Sequence, residues 1–173
     1  PERVLLRRLA VFAGGWSLEG AEAVCAGEDL ETGEILDVLA QLADKSLVLV
    51  EARGGEARYR FLETVRAYAR EKLLASDQAG AVRSRHCSWY LALAERAWSE
   101  TNLPGEAGWL DRLEAEHDNL LAALEWSRTG EPSAEAALWF ASALTFLWSA
   151  HGHIAEGQAQ LAAVLAMESA ASI

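Results

Sequence analysis

The stretch Tyr59-Arg60-Phe61-Leu62-Glu63-Thr64-Val65-Arg66-Ala67-Tyr68-Ala69-Arg70-Glu71-Lys72-Leu73 decides the fold. It starts with strand-like alternation and passes into an amphipathic helical pattern with no Gly or Pro between the two. Upstream, Ser46-Leu47-Val48-Leu49-Val50-Glu51 reads as a partner strand. Between them Ala52-Arg53-Gly54-Gly55-Glu56-Ala57 supplies a hairpin loop, with glycine available for positive φ.

Before the hairpin, three helices are expected. Residues 3–12 place Leu5, Leu9 and Phe12 on one face, and Ala13-Gly14-Gly15-Trp16 breaks the pattern. Ser17 is a good N-cap for a short helix from Leu18 to Ala26, ended by Gly27. Thr32 is placed to cap a third helix, with Glu34 in its first turn and Ile35, Val38, Leu39 and Leu42 as its buried stripe. A fourth, from about Glu63 to Ala75, turns Val65, Ala69 and Leu73 inward. Helices, one β-hairpin and a helix make the pattern of a winged helix, expected over residues 1–78, with strands confined to residues 47–62.

Around Ser76-Asp77-Gln78-Ala79-Gly80 the periodicity weakens, and residues 79–173 read as a second, all-helical domain. Helices are expected over 83–99, 106–128, 134–150 and 154–167, separated by Asn102-Leu103-Pro104-Gly105, Gly130-Glu131-Pro132-Ser133 and His151-Gly152-His153, with Ser133 as a cap. Residues 134–150 are apolar nearly all round, the pattern of a helix buried on two sides. Helix pairs in series open a repeat array, and Leu144, Trp148, Gly152, Gly157 and Leu161 fall where a tetratricopeptide unit places large, aromatic, turn, small and large residues. The class is therefore mainly α: a winged helix followed by an antiparallel, tetratricopeptide-like helix array, expected to continue beyond Ile173.

The chain has 173 residues and a net charge of −11. Residues 1–80 hold 10 basic and 14 acidic side chains, and residues 81–173 hold 5 and 12, so neither half has the cationic surplus that phosphate binding needs. Cys25 and Cys87 each sit in a helical pattern and read as separate thiols. Neither a signal-peptide pattern nor an apolar run of membrane-span length occurs, which predicts a cytoplasmic protein without a membrane partner. The chain starts at Pro1 inside a helical pattern and reads as part of something longer.

No phosphate-binding Gly-x-x-x-x-Gly-Lys-Ser/Thr, Gly-x-Gly-x-x-Gly, His-Glu-x-x-His, Cys-x-x-Cys or Gly-x-Ser-x-Gly motif occurs, so no catalytic residue and no cofactor is expected. His151, His153 and Glu156 are metal-ligand types close together, but a polar helix–helix turn explains them and no metal site is expected. His117, on the apolar stripe of residues 106–128, has the chemistry of a base or the place of an interface histidine. His86 and Cys87 are adjacent on a helix, point apart and make a poor catalytic pair. Six of seven tryptophans lie in the second half, and Trp109, His117, Trp139 and Trp148 are the candidates for a partner groove. DNA reading by the third helix is disfavoured, because its slot offers Glu34, Asp37, Gln41, Asp44 and Lys45; the hairpin's Arg53, Arg58 and Arg60 are the candidate phosphate contacts.

Three ordered phrases carry a resemblance: Leu9-Ala10-Val11-Phe12-Ala13-Gly14-Gly15-Trp16-Ser17, Leu39-Ala40-Gln41-Leu42-Ala43-Asp44-Lys45-Ser46-Leu47-Val48 and Tyr59-Arg60-Phe61-Leu62-Glu63-Thr64-Val65-Arg66. They resemble the winged helix of signal-transduction ATPases with an NB-ARC (STAND-type) core, most of all bacterial AfsR/LuxR-like transcriptional regulators. Trp109 to Leu120 is similar to the linker into the repeat arrays of such proteins. The resemblance implies a non-catalytic segment of a multidomain ATPase, with the winged helix clamping an upstream nucleotide-binding module and the array receiving an inducer or protein. ATP or ADP and Mg would belong to the parent protein. Phe61, Leu62 and Glu63 match the Met-His-Asp motif of the animal and plant relatives, whose His senses the bound nucleotide's phosphate, so Leu62 and Glu63 stand at the nucleotide-sensor position, and Leu62 cannot donate a hydrogen bond. The alternative is a DNA-binding winged-helix regulator with a helical effector-binding domain.

Overall fold

The computed structural model describes residues 1–53, 55–100, 106–129 and 134–171, apart from the side chains of 53, 106–107, 134–135 and 168–171. The expected turns at 102–105 and 130–133, with the Ser133 cap, lie outside the described residues. The chain forms two compact units, Pro1–Trp89 and Tyr90–Ile173.

The first unit runs α1 (Glu2–Leu9), β1 (Trp16–Ser17), α2 (Leu18–Cys25), α3 (Ile35–Asp44), β2 (Val48–Arg53), β3 (Glu56–Phe61) and α4 (Glu63–Leu74), then the start of α5 (Ala79–Glu100). Helix α1 packs on α2, α3 and α4. Leu5, Leu9, Ile35, Leu39, Leu42 and Leu73 are all 2% exposed or less, so the apolar stripes read from the sequence converge on one core. Val65 stays half-buried.

The hairpin holds, with a tighter loop than expected. Pairing runs from Val48↔Phe61 to Arg53↔Glu56, and Gly55, just before β3, takes φ +88°. A third strand joins it. Trp16 and Ser17 pair with Tyr59 and Arg58 to give a three-stranded antiparallel sheet in the order β1-β3-β2. The sequence reading treated Gly15-Trp16 as a break only, so strands are not confined to residues 47–62. At Gly15 a Cβ would lie 2.9 Å from the Tyr59 carbonyl oxygen, so glycine lets the strands meet. Trp16, fully buried, stacks on Phe12 with ring centroids 5.4 Å apart and meets the Phe61 ring edge-on at 4.9 Å.

Ser17 caps α2, accepting from the Gly20 N–H at 3.1 Å. Thr32 does not cap α3. A short 3₁₀ turn, Thr32–Glu34, precedes α3, and Glu31 starts it through a reciprocal capping box with Glu34. At the far end of α3, Ser46 takes φ +56° while its N–H reaches Ala43 O at 2.8 Å and the Leu47 N–H reaches Leu42 O at 2.9 Å. That is a Schellman ending with serine where glycine is usual.

The second unit holds the rest of α5 with α6 (Glu106–Ala115), α7 (His117–Thr129), α8 (Ala134–His151) and α9 (Ile154–Ala171). The single helix expected over 106–128 is two. Glu116, 4% exposed, breaks it, and its Oε2 accepts from Tyr90 Oη and from Asn119 Nδ2, each at 2.8 Å. A buried acceptor must be satisfied, and two donors from different helices fix the bend. Helix α8 is buried on several sides through Ala137, Phe140, Ala141, Leu144, Leu147 and Trp148. It folds back onto α9 through Gly152 at φ +79°. A Cβ on Gly157 would lie 2.6 Å from Trp148 Cε3, so α9 rests directly on the indole face.

Candidate functional site

The helix-turn-helix of the first unit is α2, the intervening turn and α3. Core packing turns Ile35, Val38, Leu39 and Leu42 inward, which leaves Leu36, Asp37, Ala40, Gln41 and Asp44 exposed. Among the described residues that outward face holds two carboxylates and no cation. Lys45, just beyond it, pairs with Glu2 at 2.5 Å. A face of this charge meets a polyanion unfavourably.

The hairpin cations are engaged within the unit. Arg58 donates to Gly15 O at 3.2 Å and Arg60 to Glu51 Oε1 at 2.6 Å. The side chain of Arg53 lies outside the described residues. At the start of α4, Leu62 is the N-cap position and is 43% exposed. Glu63 forms a two-point bond with Arg66, both contacts at 3.0 Å, and Arg66 also donates to Ala13 O at 2.8 Å. Glu63 therefore complements the α4 dipole and holds the arginine that ties α4 to the segment before β1.

A groove of about 780 Å³ runs between α1 and α4, lined in part by Arg3, Leu6, Arg7, Tyr68, Lys72 and Asp77. Tyr68 is 55% exposed and carries Lys72 Nζ 5.1 Å from its ring centroid; Leu74 on the same helix is 52% exposed. The groove thus combines cations with uncovered aromatic surface.

Sequence reasoning missed Arg8. It is 4% exposed and donates to Cys25 O at 2.9 Å, to Gln78 Oε1 at 3.0 Å and to Asp29 Oδ2 at 3.2 Å. Its place one turn from Leu5 was the available signal. Arg85 donates to the adjacent Val24 O at 2.8 Å, so two guanidinium groups meet the C-terminal end of α2. Burial lowers the Arg85 pKa and Arg8 lowers it further. Burial also pushes the Cys25 thiol up to about 12, despite both arginines. Burial raises the Cys87 thiol as well. Both cysteines are free.

In the second unit, the four candidate groove residues do not share one face. Trp148 is 2% exposed against Gly157, while Trp139 is 59% exposed. Nine residues apart on a helix, they point about half a turn from each other. Trp109 donates to Glu100 Oε2 at 2.8 Å, with the Arg112 guanidinium 5.3 Å from its ring centroid. His117 instead joins His153, the two rings stacked with centroids 4.5 Å apart. His117 Nε2 lies 3.0 Å from Glu156 Oε2, a close approach without hydrogen-bond alignment. Glu114 lies 3.3 Å from His153 Nε2 and 3.6 Å from His151 Nδ1. Sequence reasoning named three of these five residues together; the chain bend at Glu116 brings in the other two.

Comparison with known proteins agrees with the first unit. Residues 1–74 match the family model described as a winged helix-turn-helix domain. The chain is similar to a provisionally named HTH-type transcriptional regulator of Mycobacterium tuberculosis and to one of Mycobacterium bovis, each 45% identical over 159 residues that cover 90% of this chain and 17% of the relative. It is also similar to an uncharacterized protein of Mycobacterium tuberculosis, 54% identical over 87 residues, half of this chain and 22% of that protein. The chain thus spans under a fifth of the length of the regulators it matches. No solved structure matches. No described helix is long and apolar enough to cross a membrane.

Proposed function

We propose that this chain is a non-catalytic regulatory segment of a larger transcription regulator, in which the winged helix docks on another protein module and the helical array receives an inducer or partner. The acidic outward face of α3, with Asp37 and Asp44 exposed and the neighbouring Lys45 paired with Glu2, carries the choice of a protein over a DNA surface. The uncovered Tyr68 of α4, which lines the α1–α4 groove, supports docking along that side. In the finer form of this reading the module is an upstream STAND-type ATPase, cytoplasmic, which would supply the site for ATP or ADP and Mg, with Leu62 and Glu63 facing it. Inducer binding to the array would then bias a two-state packing of the clamp.

A second reading is a DNA-binding winged helix with a helical effector domain. The helix-turn-helix family description and the names of the relatives favour it over the clamp. Titration of a labelled random-sequence DNA duplex with the chain, followed by anisotropy, separates the two. The docking reading predicts no binding at low salt by the unaltered chain and a gain of salt-sensitive binding on Asp37→Lys with Asp44→Lys. Salt-dependent binding by the unaltered chain that is lost on Arg58→Ala with Arg60→Ala would overturn it in favour of DNA contact.

A further inference from the structure

From the side chains that meet where α7 begins and α8 turns into α9, we infer that His117, His153 and Glu156 form a binding site for one divalent transition-metal ion of the zinc type. One donor atom from each lies within 4.8 Å of the others, and all three residues are half-buried. Two imidazoles and a carboxylate are a ligand set that zinc accepts, with bonds of about 2.0–2.2 Å. In a tetrahedron of that size, donors lie roughly 3.4 Å apart. The His117 Nε2 to Glu156 Oε2 separation, 3.0 Å, is already close to that edge. The remaining donor needs only a side-chain adjustment to close.

Three backbone features hold these donors ready. His117 is the first residue of α7, and the two-donor clamp on Glu116 fixes where that helix begins. His153 follows Gly152, whose positive φ sets the turn. Glu156 lies three residues after His153 in the first turn of α9, so both project from one side of the helix start. Glu114 sits 3.3 Å from His153 Nε2 and 3.6 Å from His151 Nδ1, which makes it the positioning group behind the ligands. A bound ion would link the start of α7 to the α8–α9 turn and leave a coordination position open.

The plainer arrangement, histidine–carboxylate pairs that only stabilise the turn, makes a different prediction. Calorimetric titration of the untagged 173-residue chain with zinc chloride should show one site per chain. His117→Gln and His153→Gln should each weaken it by about a hundredfold, and Glu114→Gln by about tenfold. Cys87→Ser should leave it within about twofold, since that side chain lies outside the site. Cobalt(II) should give the intense visible bands of a four- or five-coordinate ion in the unaltered chain, a readout that needs no variant to fold. No zinc heat, a weak octahedral cobalt spectrum, or unchanged affinity in folded His153→Gln would overturn the site.

Discussion

Replacing Gly157 by alanine sets two opposite effects against each other at one atom. Alanine in a helix interior is favoured over glycine by about 0.8–1.0 kcal/mol, so on propensity alone Gly157→Ala should stabilise the second unit. The new methyl, however, would stand 2.6, 2.8 and 3.0 Å from Trp148 Cε3, Cδ2 and Cγ. Carbon atoms in contact prefer about 3.5–4.0 Å, so the overlap is roughly 1 Å. Trp148 is 2% exposed and its ring is rigid, so α9 must lift or the indole must leave its rotamer. Overpacking of this kind costs about 1–3 kcal/mol, so the net expectation is a loss of up to about 2 kcal/mol. With a urea slope of about 2 kcal/mol per molar, the midpoint should fall by up to roughly 1 M. Urea unfolding followed by far-ultraviolet circular dichroism measures it. The same change in a Trp148→Leu background should be neutral or stabilising, because the ring it strikes is gone. A higher midpoint for Gly157→Ala in the unaltered background would refute the close-contact account of the α8–α9 pair.

Two further expectations concern the first unit. Ser46→Gly should stabilise it by about 1 kcal/mol, because serine pays a left-handed backbone penalty that glycine does not, and an unchanged melting midpoint would contradict that strain. The thiol of Cys25 is held protonated up to about 12 in the fold against 9.0 for an open thiol. The folded value is the higher one, so the stability it contributes is complete below about pH 9 and is lost as pH rises toward 12. The loss should reach roughly 4 kcal/mol at about 1.4 kcal/mol per unit, and Cys25→Ala should flatten the fall measured by urea midpoints across that window.

The parts of this fold that were legible in the sequence are those whose cause is local. The hairpin-to-helix passage at Phe61–Glu63, the Ser17 cap and the inward stripe of α3 each follow from spacing and side-chain type. What was hidden is what distant residues impose. Strand β1 is two residues long and exists because β3 lies alongside it. The bend at Glu116 has no glycine or proline to announce it; its cause is a hydroxyl 26 positions earlier. His117 and His153 lie on separate helices, so their stacking could be seen only after α7 and the α8–α9 turn were placed. The Gly157 contact was half legible: a small residue was expected there, but the reason, an indole face, was not.

The charges at the end of α2 bear on where this domain can be cut. An eight-residue helix is too short to persist alone in water. Its last carbonyls depend on Arg8 and Arg85, and Arg8 in turn leans on Gln78. A fragment trimmed to residues 1–74, the span that matches the winged helix-turn-helix family, would lose Gln78 and Arg85 and leave Arg8 buried with a shortened set of acceptors. The minimal self-standing winged helix of this protein therefore reaches into the following helix, at least through Arg85, and pieces prepared to the family limit should be prone to proteolysis at α2.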